Sequence, residues 1–489
     1  MEKIICQRIT FFFIAIFSLA ISGCNAGPDY VRPPVAIPAQ FKETPKVWII
    51  AKPQDNLDRG QWWSIFNDPQ LNALEEKVNI SNQNIVQAAA QYRQASALVD
   101  EARASYFPTI AASAALTRQK QSSSSNFNTS TNNTATVGTS ASHALNLDAT
   151  WAPDLWGSVS RSVEASKANA QAAAAKLALI KLSQQAALAQ FYFELRALDT
   201  DQKLLDDTVI DDQKALQITK NRYQSGVAGL ADIVQAETQL EAAQALAINN
   251  GINRAQYAHA IAILIGQPPE NFSWSSQPLA DIPPPEVPLL IPSTLLQRRP
   301  DVAQAEREVA QANAEIGVAI SAYFPTLTLS ASGSMMGNGL GPWFSLPTLS
   351  WAVGPTLAET LFDGGLRSAT TAAARANYEA TVANYRQTTL AAFQNVEDNL
   401  ASVRILAMQS SVQNKAAADA RLALKLVMNN YKAGTAAYSD VIAAQIIAFS
   451  DEKAAADTNG LRMTATVELI EALGGGWDAN CDKNMTNWD

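Results

Sequence analysis

The chain has 489 residues, 17% charged and 47% hydrophobic, with three cysteines, two histidines and a formal net charge of −9. An acidic chain without basic clusters argues against nucleic acid as a partner. No phosphate-cradling glycine loop, nucleophile elbow or HExxH helix occurs, so the residues present neither an enzyme nor a cofactor site. His143 and His259 lie apart from each other and from any cysteine or carboxylate cluster at ligand spacing, so no metal is expected. His143 is expected on an exposed loop and His259 on a helix face.

Residues 1–23 address the chain rather than fold. Lys3 and Arg8 open them, Phe11 to Ala20 is an unbroken apolar run, and Ile21-Ser22-Gly23 lead into Cys24. A spanning helix needs about 20 apolar residues, so a run this short is the core of an export signal. Its removal takes Lys3, Arg8, Glu2 and Cys6 and leaves the chain one charge more negative. With only Cys24 and Cys481 remaining, no intramolecular disulfide framework is expected. The segment resembles the bacterial lipoprotein signal, with Ile21 where that signal most often has Leu. The resemblance implies a multiply acylated Cys24 held stably at a membrane, and Asn25, where an Asp would retain the protein at the inner membrane, implies the outer one.

No later apolar run is long enough for a spanning helix, so any bilayer crossing falls to strands. The composition from Asn72 to Ser105 is rich in Ala, Gln and Glu without Pro or Gly and predicts one helix, ended by Pro108. Beyond it the chain alternates. Ile110, Ala112, Ala114 and Leu116 interleave with Thr109, Ala111, Ser113 and Thr117, and Leu145, Leu147, Ala149 and Trp151 interleave with Asn146, Asp148 and Thr150. A period of two with one apolar side is the pattern of a membrane barrel strand. Gln119 to Ser142, almost wholly Ser, Asn, Thr and Gln, is expected as an exterior loop. From Arg161 to Ser225 no Gly or Pro occurs, which predicts a helix of about 100 Å; Leu188 and Leu195, with Phe191, Leu198 and Leu205, fall at heptad spacing. Gly226 is read as the turn, followed by a return helix to Gly266.

The same signals then recur. Tyr106-Phe107-Pro108-Thr109 returns as Tyr323-Phe324-Pro325-Thr326; Gln87-Ala88 faces Gln304-Ala305, and Tyr223-x-x-Gly226 with Asp232 faces Tyr431-x-x-Gly434 with Asp440. The second alternation is Leu327, Leu329 and Ala331, then Leu349, Trp351 and Val353, joined by Gly333 to Pro347, and Leu366 to Ala433 is again free of Gly and Pro. The chain therefore reads as one unit duplicated. Residues 24–67 form an N-terminal segment, 68–266 the first copy with a hairpin near 109–156, 267–294 a Pro-rich linker, 295–474 the second copy with a hairpin near 326–362, and 475–489 a polar tail. The N-terminal segment, linker and tail are expected to wrap the helices midway as an equatorial domain; a flexible linker is the alternative. Tyr106, Phe107, Trp151, Trp156, Tyr323, Phe324 and Phe362 cluster at the strand–helix junctions, as a periplasmic aromatic girdle would.

Four strands cannot close a barrel, and lipid does not tolerate an open edge. Three copies supply twelve strands, an even number inside the range of outer-membrane barrels, with the helices in a ring below. The expected fold class is thus an α+β membrane protein: a homotrimeric twelve-stranded β-barrel continued by a periplasmic α-helical barrel.

Gly27-Pro28-Asp29-Tyr30-Val31-Arg32-Pro33-Pro34, Trp62-Trp63-Ser64-Ile65-Phe66-Asn67-Asp68-Pro69-x-Leu71, Asp154-Leu155-Trp156-Gly157, Leu295-Leu296-Gln297-Arg298-Arg299-Pro300-Asp301-Val302 and Leu361-Phe362-Asp363-Gly364-Gly365 resemble the signatures of TolC-like outer membrane factors, in particular the NodT and OprM type of efflux lipoprotein. The resemblance implies a trimeric duct in the outer membrane of a Gram-negative bacterium. It also implies docking onto a periplasmic adaptor and an inner-membrane pump, commonly of the resistance-nodulation-division class, for export of drugs and other small toxic compounds. It points to Arg222, Tyr223, Gly226, Tyr431 and Gly434 at the hairpin tips as adaptor contacts. Asp232 and Asp440 are implied as aperture carboxylates, with Gln235 and Ala443 where some relatives carry a further Asp. Asp199, Asp201, Asp206, Asp207, Asp211 and Asp212 are expected either to line the lower tunnel or to face solvent outside. A type I protein-secretion duct would share the fold, and a non-conducting coiled-coil tether is the reading from another class; lipidation, Trp62-Trp63 and Arg299-Pro300-Asp301 favour small-molecule efflux.

Overall fold

The computed structural model describes residues 25–38, 40–43, 61–120, 139–279, 284–285, 287, 298–338 and 349–475. The export signal with Cys24, the loop interiors, most of the Pro-rich linker and the tail with Cys481 lie outside these residues. In chain order the elements are helices α1 (Pro69–Ser81) and α2 (Gln83–Ala104), strands β1 (Thr109–Lys120) and β2 (Thr139–Trp151), and helices α3 (Ser158–Gln224) and α4 (Leu230–Leu264). Then follow α5 (Pro300–Ser321), β3 (Thr326–Asn338), β4 (Leu349–Ala358), α6 (Leu366–Ala433) and α7 (Tyr438–Ala472).

The helix expected over Asn72 to Ser105 is two helices. Asn82 divides them: its backbone N–H still donates to Val78 O at 3.1 Å, while its side-chain oxygen accepts from the N–H groups of Asn84 and Ile85 at 2.9 and 3.2 Å. One residue thus ends α1 and caps α2, because an Asn side chain supplies the acceptor that the first turn of a helix lacks. Its amide also donates to Leu264 O at 2.8 Å, fixing the break against the end of α4. The long helices begin in the same way. Asp154 accepts from Val159 and Ser160 N–H, and Asp363 from Gly365 and Arg367 N–H.

The chain divides into two compact units. One comprises residues up to Pro33, Gln94–Gln171 and Arg307–Val382, and it holds the sheet. The strands are antiparallel in the order β1-β2-β3-β4. Residues directly opposite one another share a face, and the register sorts them cleanly. Ile110 lies opposite Ala149, Ala112 opposite Leu147, Leu147 opposite Gly333, Ala331 opposite Val353 and Gly333 opposite Trp351, all on one apolar face. Ser113, Asn146 and Ser334 form one row of the polar face, where Asn146 Nδ2 donates to Ser113 Oγ at 3.3 Å and Ser334 Oγ donates to Asn146 Oδ1 at 2.7 Å. Pro355 sits on β4, an edge strand, where a missing N–H is tolerated.

The strands run further than the alternation implied. Gln119, Lys120 and Thr139 to Ser142, expected in an exterior loop, are paired residues of β1 and β2, and Gly333 to Asn338 belong to β3. A ladder bonds backbone to backbone, so polar side chains do not stop it. His143 is likewise not on a loop. It is a buried residue of β2 lying opposite Gly337, whose missing side chain leaves room for the imidazole. In the same unit Arg161, buried at the start of α3, pins the N-terminal segment by donating to Ala26 O at 3.1 Å and pairing with Asp29 at 2.8 Å.

The other unit, residues 34–93, 172–306 and 383–489, holds a continuous apolar core. Trp63, Leu71, Leu74, Val78, Leu188, Tyr192, Leu195, Ile261 and Val467 are buried together, so the heptad residues Leu188 and Leu195 face packed partners. The two signatures weighed above as marks of small-molecule efflux serve this fold. Asp68 caps α1 through the N–H groups of Gln70 and Leu71 and receives the Tyr192 hydroxyl at 2.7 Å and Arg196 at 2.5 Å. Arg299 grips Asp301 at 3.0 and 2.6 Å and donates to Ala472 O at 2.9 Å, closing the end of α7.

Candidate functional site

The hairpin turns show how the local sequence builds a tip. After α3, Gly226 takes φ of +73°, and after α6, Gly434 takes +83°. Val227 N–H reaches back to Arg222 O and Thr435 N–H to Asn430 O, the closing bond of a glycine-ended helix. A side chain at either glycine would meet nothing within 4 Å, so the backbone angle and not crowding selects glycine. Each return helix then starts on an acid at its third position. Asp232 accepts from Gly229 N–H and Asp440 from Ala437 N–H, both at 3.2 Å, where the helix dipole also favours a negative charge. Asp440 is exposed and Asp232 half-buried.

The two turns differ in their side chains. Tyr431 was expected at a docking surface, but it is only 2% exposed, whereas Tyr223, its counterpart, is 45% exposed. Tyr431 packs with Ala215, Ala236, Tyr438 and Val441 in a small core shared by α3, α4, α6 and α7. Its hydroxyl meets Thr219 Oγ1 at 3.2 Å, and its ring lies 5.3 Å from Tyr438. Arg222 is half-buried against it, with the guanidinium 4.6 Å over the ring and Nη1 donating to Tyr431 O at 2.7 Å. The pair therefore ties one helical hairpin to the other, and of the expected contact residues Tyr223, Gly226 and Gly434 stay at the surface.

Above this core lies Asp212, which accepts from Gln445 Nε2 at 2.8 Å. Burial, with Asp211 beside it, pushes its carboxyl up to about 6. Burial, then the nearby Asp212 charge, pushes the Tyr438 hydroxyl up to about 12. The acidic run splits accordingly. Asp206, Asp207 and Asp211 are exposed on the chain, but Asp199, Asp201 and Asp212 are buried within it and so neither line a tunnel nor face solvent outside. Asp199 is satisfied by Arg254 at 2.7 Å, Trp274 Nε1 at 2.8 Å and Gln277 N–H at 2.7 Å; Asp201 pairs with Lys453 at 2.8 Å. Buried carboxylates persist where such partners replace water. Thr219, Tyr438, Gln445 and Lys453 were missed in sequence, since nothing local marks a partner on a distant helix.

The junction aromatics come together in the sheet-bearing unit. Trp156 stacks on Phe324 at 4.9 Å and donates Nε1 to Pro325 O at 2.7 Å; Trp151 Nε1 donates to Tyr106 O at 2.9 Å. Arg367, bonded to Asp363, lies 5.4 Å over the Tyr323 ring, and that guanidinium with two backbone N–H groups holds the Asp363 carboxyl below its ordinary range. Phe107 and Phe362 remain open, the latter 89% exposed. Among the described residues no group of three His, Cys, Asp or Glu is placed to hold a metal ion, and no helix is long and apolar enough to cross a membrane.

Comparison with known proteins agrees with this arrangement. The family described as outer membrane efflux protein matches residues 74–267 and 291–475. The chain is 28% identical to the pyoverdine export outer membrane protein OpmQ of Pseudomonas aeruginosa, over 94% of this chain and 96% of that one. It is 29% identical to nodulation protein T of Rhizobium leguminosarum bv. trifolii, over 90% and 91%. The solved outer-membrane channel OprN superposes with a TM-score of 0.83 at 28% identity, over 93% of this chain and all of that one. A four-stranded sheet with one apolar face, two glycine-turned helical hairpins and this match over most of its length make one conclusion: the chain belongs to the outer membrane efflux protein family and is an outer membrane export channel.

Proposed function

We propose that three copies of the chain close a twelve-stranded barrel, continued by a periplasmic helical tunnel, and that the assembly is the passive exit duct of a tripartite efflux pump. The sheet carries this reading. Its order leaves β1 and β4 each with one unpaired side, and its register gathers the apolar residues on one face. Unpaired backbone groups are not tolerated in lipid, so the edges need the edges of sibling chains. A coiled-coil tether would have no use for such a sheet.

In this reading each chain is a duplicated unit, residues 68–266 and 295–474, strapped by 24–67 and 267–294 and followed by the tail 475–489. Acylated Cys24 holds it at the membrane, and the junction aromatics sit at the periplasmic interface. Tyr223, Gly226 and Gly434 meet a periplasmic adaptor, while Arg222 and Tyr431 set the resting position of the tips from within. Three copies of Asp232 and Asp440 form carboxylate rings at the aperture. The duct carries no catalytic group and no cofactor beyond its lipid. Its cargo is small: a relative exports pyoverdine, and a wet tunnel leaves the choice among small compounds to the inner-membrane pump. The test is deletion of the gene followed by two assays. Sensitisation to small toxic compounds is the expected result; unchanged tolerance with loss of one secreted protein would instead identify a type I secretion duct.

A further inference from the structure

The outer end of the sheet carries charge on an unexpected face. On β1 the apolar residues Ile110, Ala112, Ala114 and Leu116 occupy alternate positions, and the same alternation continues to Arg118 and Lys120. Both are exposed, and the polar face at that level carries only Thr117 and Gln119. Their cross-strand neighbours are Ala141 and Thr139, and the row inside them is Leu116, His143 and Gly337, so among the described residues no large side chain from these strand rows covers them.

Nothing in this part of the chain neutralises them. From Thr109 to Leu147 and from Ile316 to Ala358, spans that include β1, β3, β4, the outer part of β2 and both outer connections, the sequence has no Asp or Glu, and Arg118 and Lys120 are its only Lys or Arg; Asp148 of β2 lies opposite Ala111, near the other end of β1. A neighbouring copy does not help. The strand that would close the barrel beside β1 is β4, which has no carboxylate. Each chain thus presents two unopposed cations, and the complementary charge must come from outside the protein.

Their depth says where. At about 3.4 Å per residue the apolar face from Ile110 to Leu116 spans roughly 20 Å, close to the band of about 25 Å that a barrel shows to lipid. Arg118 and Lys120 lie just past it, at the headgroups, on the side away from the helix junctions. Resting on the barrel reading above, that side is the outer leaflet. We propose that Arg118 and Lys120, adjacent on the membrane-facing side of β1, dock a phosphate-bearing headgroup of an outer-leaflet glycolipid. The guanidinium offers two parallel N–H donors to a phosphate and the ammonium adds a compact charge. Three copies place three such pairs around the rim.

The test uses the full-length, detergent-extracted protein and native mass spectrometry with three probes: phosphorylated outer-leaflet glycolipid, its enzymatically dephosphorylated form, and inorganic phosphate. The phosphorylated lipid is expected to bind the wild type roughly tenfold or more tightly than an Arg118→Gln/Lys120→Gln variant does, with Arg118→Lys retaining most of the binding. Equal binding of phosphorylated and dephosphorylated lipid by the wild type, a comparison that needs no variant to fold, overturns the proposal, as does equal retention by a double variant that still runs as an oligomer. Binding of inorganic phosphate in place of the lipid also overturns it. A trimer that conducts but shows no phosphate preference sinks this inference alone; a strand-free monomer sinks the barrel reading with it.

Discussion

The helical core around Trp63 and the sheet solve opposite problems. Around Trp63, Leu71, Tyr192 and Ile261 the chain buries its own apolar surface against itself, and Asp68, Asn82 and Asp199 find their partners within it. In the sheet, Ile110, Leu116, Val353 and Leu357 stay exposed, and β1 is exposed along its whole length. The core is finished by one polypeptide; the sheet leaves an apolar face and two edges open, which the proposed barrel fills with lipid and sibling chains. Apolar surface means packing in the first region and an unfilled partner in the second.

Substitutions separate the two. Trp63→Ala should cost about 3–5 kcal/mol of stability, since a fully buried indole leaves a cavity, and thermal unfolding of the helical signal should shift markedly. Val353→Arg should leave that signal in place and act on insertion, at about 2–4 kcal/mol per copy for a cation on the lipid face, read as lost heat-resistant oligomer in membranes. If Val353→Arg melts the helices as Trp63→Ala does, the regions are not independent.

Smaller effects sharpen the contrast at the tips. Arg222→Ala removes the hydrogen bond and the ring contact between the hairpins, and Asp232→Ala with Asp440→Ala removes the proposed aperture charges; planar-bilayer conductance should rise in each, while Tyr223→Ala should weaken adaptor binding and leave conductance unchanged. For pH, Asp212 has its folded pKa raised to about 6. Its protonated form is therefore favoured in the folded state, and the stability of the tip contact falls as pH rises from the ordinary carboxyl range through about 6. Asp212→Asn should flatten that dependence in a pH series of conductance or hydrogen exchange. Gly434→Ala should cost only about 1 kcal/mol, because the strain of positive φ is its one penalty.

How much of this was legible in sequence follows from the range of each interaction. Strand faces, glycine turns and the span of α6 depend on neighbours two to four positions apart, and the alternation and the gap between Gly and Pro residues report them directly. The division at Asn82 was also local, an Asn preceding two N–H groups in need of an acceptor, but good helix formers on both sides hid it. Tyr431 and Tyr223 occupy matching positions and differ because Arg222 has Asn430 as its counterpart; one guanidinium draws one tyrosine inward. Asp199, Asp201 and Asp212 resembled a solvated run because their partners, Arg254, Lys453 and Gln445, lie on other helices that spacing along α3 does not reveal.

The mass of the detergent-extracted particle tests the insufficiency of a single chain most directly. Light scattering corrected for detergent should give three chain masses, with the strand signal lost when the particle is dissociated. A particle of one chain mass that keeps its strands and inserts into vesicles would contradict it.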